Sequence, residues 1–189
     1  AVWHRGAVDA DGKTGDGAGI HVEIPKDFFI EKIEVTGHDY DNAEICVGMI
    51  FLPKNDYAAQ ESCKTIVESE LTKNNFSIYG WRQVPVNSKV LGDKALQTMP
   101  EIIQVLFKSN DTNLLDKKLE RKIYETRKRI ENKAFQLSLN NFYICSISSK
   151  SIIYKGLYLA EAISDFYLDL KDESCLLYTS DAADEWCGG

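Results

Sequence analysis

The sequence predicts a layered α+β fold, and three observations point to that class. Segments that alternate apolar and polar residues, as half-buried strands do, are interspersed with segments whose apolar residues recur at helical spacing. Two predicted strands are separated by three residues, which favours a hairpin and hence a mixed rather than a purely parallel sheet. The chain has 189 residues, of which 44% are hydrophobic and 27% charged, so it is long enough for one domain with its own core.

Charge and hydropathy exclude several classes of function. The 22 Lys and Arg residues against 29 Asp and Glu residues leave a formal net charge of −7, which argues against a general binder of the phosphate backbone. No run approaches the roughly 20 apolar residues that span a bilayer. We therefore expect neither a nucleic acid nor a membrane among the partners.

The two ends of the chain differ in character from the rest. The chain starts at Ala1 without a signal segment and enters a dense polar motif at once, so we interpret its N-terminus as a cut. The stretch Cys175–Glu185 matches, in reverse translation, a transposase adapter of sequencing libraries read through in frame; a genuine amphipathic tail is the less favoured alternative. We expect residues 1–174 to form the fold and residues 175–189 to be an adapter-derived tail outside it.

The first half of the predicted fold alternates strands and helices. The alternation over residues 18–24 predicts a strand with one buried face, and a proline after it favours a short helix over residues 27–34. Residues 44–52 are apolar on both faces, which predicts a strand that is buried on both sides. Asp56 is a good capping residue for a helix that runs to about Lys73.

The second half contains more strands, including two that follow one another. The predicted elements are, in order, a strand over 76–86, a short helix between Gly92 and Pro100, a strand over 101–108, a helix over 114–139, strands over 142–148 and 152–159, and a helix over 160–170. The three residues Ser149-Lys150-Ser151 are the predicted turn of a hairpin.

The helix over 114–139 is both amphipathic and rich in charge. Its apolar stripe runs from Leu115 to Leu137, the face expected against the core. Its basic residues look like a nucleic-acid patch, but glutamates interleave with them, among them Glu120 and Glu125. A face of mixed sign is usually solvated, so we interpret these charges as a solvent-exposed surface.

A glycine-rich stretch near the N-terminus is the first candidate for chemistry. Residues 7–14 fit a relaxed phosphate-loop pattern, but the three glycines within residues 15–19 do not start the helix that such a loop needs. The three histidines are scattered without ligand spacing, so no metal site is predicted. Taken alone, the stretch is a tight loop that leads into a strand, with Arg5 anchored for packing.

The cysteines bear on the redox compartment. Cys46, Cys63 and Cys145 remain once the tail is set aside, and they are far apart without a CxxC spacing. Cysteines inside strand-like runs behave as small hydrophobic residues, and this usage is typical of a reducing compartment. A cytoplasmic location is therefore expected.

Several motifs in register resemble one family. His4-Arg5-Gly6-Ala7 together with residues 10–19 closely resembles the start of the N-terminal glutamine amidotransferase domain of glutamate synthase large subunits. The stretch Gly80–Asn87, followed by Leu91-Gly92, is similar to a signature of this family and not of class II amidotransferases at large. The resemblance continues in order to about Asp172.

The resemblance implies a fold and an activity. Such domains have the N-terminal-nucleophile hydrolase fold, a four-layer αββα sandwich, here incomplete at both ends. An N-terminal cysteine attacks the side-chain amide of glutamine and releases ammonia, which the whole synthase uses for reductive synthesis of glutamate from 2-oxoglutarate. Of the family's catalytic residues, Arg5 and Gly6 have counterparts here, and the resemblance places them beside the nucleophile.

The same resemblance sets the expected partners and cofactors. Glutamine is the implied substrate of the complete domain, and the remaining domains of the synthase are the implied partners. FMN and an iron–sulfur cluster belong to those domains, so no cofactor is expected in these residues. The nucleophilic cysteine and the downstream glutamine-binding and oxyanion residues have no counterparts here, so we expect the chain alone to be inactive.

Two alternatives stay open beside this interpretation. One is a non-catalytic interaction domain that keeps the same scaffold and lacks the nucleophile. The other is a different class II glutamine amidotransferase, which the stretch Gly80–Asn87 disfavours.

Overall fold

The computed structural model describes residues 11–114 and 116–176 of the chain. These residues divide into two compact units. One, here named the loop unit, contains residues 11–22, 84–99 and 153–176. The other, here named the sheet unit, contains residues 23–83 and 100–152 apart from residue 115.

Strands and helices alternate up to residue 148, as the sequence predicts, and a further strand and two short α-helices follow. The strands are β1 Ala18–Glu23, β2 Cys46–Leu52, β3 Phe76–Gln83, β4 Glu101–Ser109, β5 Tyr143–Ser148 and β6 Ser151–Gly156. The helices are α1 Lys26–Val35, α2 Tyr57–Lys73, α3 Asp93–Thr98, α4 Asp116–Gln136, α5 Ile163–Phe166 and α6 Glu173–Leu176. The combination of helices with antiparallel strands confirms the α+β class. None of these helices has the length and hydrophobicity needed to span a bilayer.

The sheet unit is built around a four-stranded antiparallel sheet. Its strand order is β3-β4-β2-β5, so β4 and β2 are central and β3 and β5 form the edges. β2 is buried along nearly its whole length, which confirms the prediction of a strand covered on both sides. Its register places Ile50 opposite Ile103 of β4.

Helices α2 and α4 cover one face of this sheet with apolar side chains. Cys63, Val67 and Leu71 of α2 join Ile123 and Ile130 of α4 in one cluster with buried strand residues. These five residues are at most 1% exposed. Full burial of an aliphatic side chain is worth about 1.5–3 kcal/mol, so this cluster contributes substantially to the stability of the sheet unit.

The ends of α2 follow the sequence closely. Asp56 accepts a hydrogen bond from the backbone N–H of Ala59 at 2.9 Å, so the aspartate caps the helix as predicted. After the helix, Asn75 has a φ of 63°, a left-handed conformation that asparagine tolerates better than most residues. This residue turns the chain into β3.

The charged side of α4 differs from the prediction at one residue. Arg121 and Glu125 form an exposed ion pair at 3.0 Å, as expected for a solvated face. The half-buried Glu120 instead accepts hydrogen bonds from Ser148 Oγ at 3.0 Å and from the N–H and Oγ of Ser149 at 2.7 and 2.8 Å. The prediction of a wholly solvated face is wrong here, because Glu120 directly follows the buried Leu119 and turns toward the end of β5.

The prediction of a hairpin between β5 and β6 is wrong, because these two strands do not pair with each other. β5 pairs with β2 and β6 pairs with β1, so consecutive strands belong to different sheets. Ser148 Oγ accepts hydrogen bonds from the N–H groups of Lys150 at 2.9 Å and Ser151 at 3.3 Å. The carbonyl of Lys150 accepts from the N–H of Ile24 at 2.9 Å. These bonds lead the chain out of one sheet instead of reversing it along β5.

The loop unit contains the strand pair β1-β6 and a cluster of aromatic side chains. Tyr154, Tyr158 and Tyr167 are at most 1% exposed. The ring of Tyr167 lies 4.9 Å from that of Tyr154 and 4.8 Å from that of Phe166, both edge to face. Such pairs add to the hydrophobic gain of burial and fix the geometry of the cluster.

Several predicted boundaries in the second half are wrong. The single helix over 160–170 is divided between short 3₁₀ turns and α5, because Tyr167 is extended and forms a bridge with Val86. For the same reason β3 ends at Gln83 and does not reach Val86. Leu137 is 62% exposed because α4 ends at the residue before it.

The predicted end of the fold lies inside α6. This helix spans Glu173–Leu176 and contains Cys175, which is 1% exposed. Residues 177–189 lie outside the described residues. The assignment of residues 175–189 to a tail therefore stays a prediction.

Candidate active-site loop

The two residues that the sequence assigns to catalysis, Arg5 and Gly6, lie outside the described residues. The described residues begin at Asp11, inside the same glycine-rich motif, which continues through Gly19 into β1. We refer to residues 11–19 as the glycine loop. It passes from a turn directly into a strand, as expected from its glycines, and so lacks the helix start that would cradle a phosphate.

Asp11 organises the start of the glycine loop. Its Oδ1 accepts hydrogen bonds from the backbone N–H groups of Lys13 at 2.9 Å and Thr14 at 2.7 Å. Its Oδ2 accepts one from Thr14 Oγ1 at 2.5 Å, and the backbone N–H of Lys94 in α3 adds another to the carboxylate. These bonds, that of the Thr14 hydroxyl foremost, lower the pKa of Asp11 to about 2. A carboxylate with so low a pKa is a poor general base at neutral pH.

The start of α3 packs directly against this turn. A Cβ atom at Gly92 would lie 2.1 Å from Asp11 Oδ2 and 2.4 Å from Thr14 Oγ1. Thr14 is 5% exposed, so its hydroxyl is enclosed between the carboxylate and the backbone of Gly92. The φ of Gly92 is −74°, an ordinary value for any residue. Glycine is therefore required here for close approach and not for its conformational freedom.

The second half of the glycine loop packs against the chain at the end of β6. A Cβ atom at Gly15 would lie 2.8 Å from the carbonyl oxygen of Tyr158, and one at Gly19 would lie 3.1 Å from that of Tyr154. The ring of Tyr158 covers Gly156, where a Cβ atom would lie 2.4 Å from Cε1. The glycine loop is therefore held at both ends by buried parts of the loop unit.

The cysteines of the described residues are poor candidates for a nucleophile. Cys46, Cys63, Cys145 and Cys175 are all buried, and none of them forms a disulfide. Burial raises the pKa of Cys46 far above its ordinary value and raises that of Cys63 to about 11. A thiol with a raised pKa carries little thiolate at neutral pH, and an internal cysteine has no free α-amino group to act as base.

Trp81 and Arg82 of the family-like stretch make packing contacts within the sheet unit. Trp81 Nε1 donates a hydrogen bond to Glu68 at 2.7 Å, and Arg82 donates one to the fully buried Gln104 at 2.7 Å. The Arg82 guanidinium also lies 5.3 Å from the centre of the Phe28 ring. A cavity of about 550 Å³ lies beside these residues, in the same unit.

The part of the chain that the structure describes contains no ligand set for a metal ion or an iron–sulfur cluster. No three or more His, Cys, Asp or Glu side chains of these residues are grouped to hold a metal ion. An iron–sulfur cluster is held by several cysteines together, whereas these four cysteines lie on separate strands and helices. The described residues therefore do not fit such a group.

Sequence reasoning missed the connection of Asp11 and Thr14 with Gly92. The sequence does contain a signal for the turn at Asp11. An aspartate that accepts a hydrogen bond from the backbone two residues later is a common turn pattern, and Asp-Gly-Lys-Thr is compatible with it. No local pattern in the sequence indicates the contact with Gly92, because Gly92 is far from Asp11 and Thr14 in the sequence. Close approach of a backbone is visible only once the chain is folded.

Comparison with known proteins agrees with the motif-based resemblance. The family model of the class II glutamine amidotransferases matches residues 1–180. The glutamate synthase [NADPH] large chain of Azospirillum brasilense is 51% identical over 173 residues, which are 92% of this chain and 11% of that protein. Ferredoxin-dependent glutamate synthase 1 of Arabidopsis thaliana is 41% identical over 90% of this chain and 10% of its own length. The chain thus spans about a tenth of the length of these curated relatives.

Proposed function

Because the chain belongs to the class II glutamine amidotransferases, we propose that it is part of the glutaminase domain of a glutamate synthase large chain. The observation that carries the proposal is the 51% identity with the Azospirillum brasilense large chain over 92% of this chain. In this function the complete domain hydrolyses glutamine, and the ammonia is used for reductive synthesis of glutamate from 2-oxoglutarate.

For the complete domain we propose the four-layer αββα sandwich, with residues 1–174 inside it and residues 175–189 outside. The helices α2 and α4 on one face of the four-stranded sheet support one helix layer and one sheet layer. The burial of β2 on both sides supports a further layer on the other face of that sheet.

In the proposed reaction a cysteine thiol attacks the side-chain amide carbon of glutamine. The amide nitrogen takes up a proton and leaves as ammonia, and water then hydrolyses the thioester to give glutamate and the thiol. We assign Arg5 and Gly6 to positions beside this nucleophile. Glycine lets the backbone approach the cysteine amine without a Cβ, and arginine holds the region by charge-assisted hydrogen bonds.

Glutamine is the proposed substrate, and the rest of the synthase is the proposed partner. FMN and the iron–sulfur cluster, which the resemblance implies for the whole enzyme, are assigned to residues outside this segment. Buried cysteines without disulfides in the described chain support a reducing, cytoplasmic compartment.

A segment exchange tests the proposed function. Residues 4–172 replace the aligned residues of the Azospirillum brasilense large chain, and NADPH-dependent glutamate formation is measured with glutamine or with ammonium as the nitrogen donor. Added ammonium replaces the product of the glutaminase step, so it reports on the rest of the enzyme alone. We expect the exchanged enzyme to use glutamine within about tenfold of the parent, and Arg5→Ala to lower that rate at least about 100-fold without changing the ammonium-dependent rate.

The outcome also separates the alternatives. An exchanged enzyme that uses ammonium but not glutamine would contradict the proposed function and favour a non-catalytic interaction domain on the same scaffold. Equal losses with both nitrogen donors in Arg5→Ala would show that Arg5 is a packing residue and that its catalytic assignment is wrong.

A further inference from the structure

A groove with exposed aromatic rings lies in the sheet unit, where α4 ends and β5 begins. It encloses about 600 Å³. Its apolar walls are formed by Ala134, Phe135, Leu139, Phe142, Tyr143 and Ile144. Phe135 is 85% exposed and Tyr143 is 44% exposed, so the two rings present apolar surface to the outside of the unit. We name this cavity and the residues that line it the aromatic groove.

The aromatic groove is built on a well-defined turn. The N–H of Leu139 donates a hydrogen bond to the carbonyl of Ala134 at 3.0 Å, and the N–H of Ser138 donates one to that of Phe135 at 3.0 Å. Ser138 has a φ of 53°, the left-handed conformation that completes this Schellman motif at the end of α4. Leu139 and Phe142 also pack against the core of the sheet unit. The groove is therefore preformed, and a partner that enters it loses little binding energy to the ordering of its walls.

The lining of the aromatic groove favours an uncharged partner. Among the described residues, Glu131 is the one charged side chain that lines it, and this carboxylate is already paired with Arg127 and with Lys128, at 2.7 Å each. The remaining polar lining consists of uncharged side chains, namely Gln136, Ser138, Asn140 and Asn141. Amide side chains both donate and accept hydrogen bonds, so they can bind the backbone of an apolar peptide segment. Aromatic rings with few charges are also typical of the core of a protein–protein interface.

We propose that the aromatic groove is the docking surface for an apolar, uncharged segment of the rest of the large chain. This inference rests on the proposed function. The residues that match this chain are 11% of the Azospirillum brasilense large chain and 10% of the Arabidopsis thaliana synthase. In a large chain of that length, about nine tenths of the residues are joined covalently to this segment and need surfaces on which to pack.

Two physical arguments favour this occupant over a second copy of the chain. Covalent attachment keeps the other domains at an effective concentration on the order of millimolar, so a small groove is enough to hold a tethered segment. Free proteins need a larger contact, which buries roughly 1,200–2,000 Å² in a stable complex. Two copies would also each carry a formal net charge of −7, and the repulsion between them opposes association at an uncharged surface.

Photo-crosslinking in the exchanged large chain tests the proposal. The photoreactive residue p-benzoylphenylalanine replaces Phe135 in one variant and Tyr143 in a second, so an aromatic ring is kept at both positions. In the control variant it replaces Glu61, whose side chain is 71% exposed on α2 and outside the groove. After irradiation, mass spectrometry identifies the peptides that are joined, and a denaturing gel separates cross-links within one chain from those between two chains.

We expect both groove positions to cross-link within one chain, and to the same segment outside residues 4–172. That segment should carry at least one large apolar side chain and no net charge, and the control at Glu61 should not reach it. Phe135→Asp, combined with the photoreactive residue at Tyr143, should lower the yield at least about tenfold, because an unpaired charge is costly to bury. Phe135→Leu in the same combination keeps an apolar side chain and should keep most of the yield.

Four results would overturn the aromatic groove as this docking surface. They are the lack of any cross-link from the groove to residues outside 4–172, cross-links between two chains, cross-links from the two groove positions to separate segments, and a joined segment that is strongly charged. Each leaves the proposed function intact as long as the exchanged enzyme uses glutamine. An exchanged enzyme that uses ammonium but not glutamine contradicts the proposed function itself, whatever the cross-links are.

Discussion

Removal of the Glu120 carboxylate is expected to destabilise the sheet unit far more than its place on a charged helix face indicates. The carboxylate binds Ser148 Oγ and both the N–H and the Oγ of Ser149. Both serines are at most 9% exposed, so water does not readily replace the lost acceptor. Ser148 in turn holds the N–H of Lys150, where the chain leaves β5. Glu120 thus fixes the point at which the two sheets separate along the chain.

The magnitude follows from the partners that are left behind. In Glu120→Ala the N–H of Ser149 loses its acceptor at 2.7 Å, and a buried donor without a partner costs about 1–3 kcal/mol. The two hydroxyls rotate toward other acceptors, and relief from burying a charge offsets part of the loss. We expect a net loss of about 2–3 kcal/mol. Glu120→Gln keeps an oxygen for the N–H and is expected to cost about 1 kcal/mol.

Urea unfolding of the chain measures both values. With a slope of about 2 kcal/mol per molar urea, Glu120→Ala should lower the midpoint by about 1–1.5 M. Glu125→Gln is the matched control, because its pair with Arg121 is exposed and worth at most about 0.5 kcal/mol. A loss in Glu120→Ala no larger than that of the control would refute the reasoning, as would equal losses in the alanine and glutamine variants.

Three further predictions concern the chain by itself. It is expected to release no ammonia from glutamine, since its described thiols are internal and buried; glutamine-dependent release of ammonia above a buffer blank would contradict this. A hydrogen bond from Lys133 lowers the pKa of Glu70, and one from Lys108 lowers that of Asp41 to about 2. Both acids therefore stabilise the fold at pH values above their ordinary pKa values of 4.5 and 3.8, and this contribution is lost as the pH falls through the lowered pKa of each group. The urea midpoint of unfolding should therefore fall as the pH is lowered, and it should fall less steeply in Glu70→Gln than in the unsubstituted chain. In Glu61→Gln the dependence of the midpoint on pH should equal that of the unsubstituted chain, because this side chain is 71% exposed. Truncation after Leu176 should change the free energy of unfolding by less than about 1 kcal/mol, whereas truncation after Ser174 also removes the buried Cys175 and should cost about 1 kcal/mol more; a larger loss for the first truncation would place the tail inside the fold.

Local signals in the sequence predicted most elements, because their causes are local. The cap at Asp56 and the apolar spacing of α2 lie within one helix, and the bounds of that helix were predicted to within a residue. Pairing of strands is not local. The short link between β5 and β6 favours a hairpin, yet β5 finds its partner in β2, and hydroxyl groups at Ser148 and Ser149 bind Glu120 from another element. The fold class was therefore accessible from the sequence, whereas the membership of each strand in a sheet was not.

The candidate site shows the same division. The motif resemblance identified the glycine-rich stretch and assigned Arg5 and Gly6, and that assignment stays a prediction because both lie outside the described residues. The turn at Asp11 has a local pattern, since its partners are two and three residues away. The part played by Gly92 depends on a backbone that arrives from a distant segment. No periodicity or spacing carries that information, so only the structure supplied it.

The glycines of this site are required for two different physical reasons, which matters for any substitution experiment. Gly12 and Gly17 have φ values of 69° and 121°, where a Cβ atom makes the backbone itself unfavourable. Gly15 and Gly92 are required because a Cβ atom would meet Tyr158 or Asp11. Asparagine tolerates left-handed backbone, so it is the mildest replacement at Gly12, where open space surrounds the missing Cβ atom. At Gly92 asparagine brings the same Cβ atom as alanine and therefore makes the same close contact with Asp11. A loss of glutamine-dependent activity in the exchanged enzyme that Gly92→Asn shares with Gly92→Ala, beside a Gly12→Asn variant that keeps this activity, is therefore the pattern that identifies contact rather than backbone strain as the constraint at Gly92.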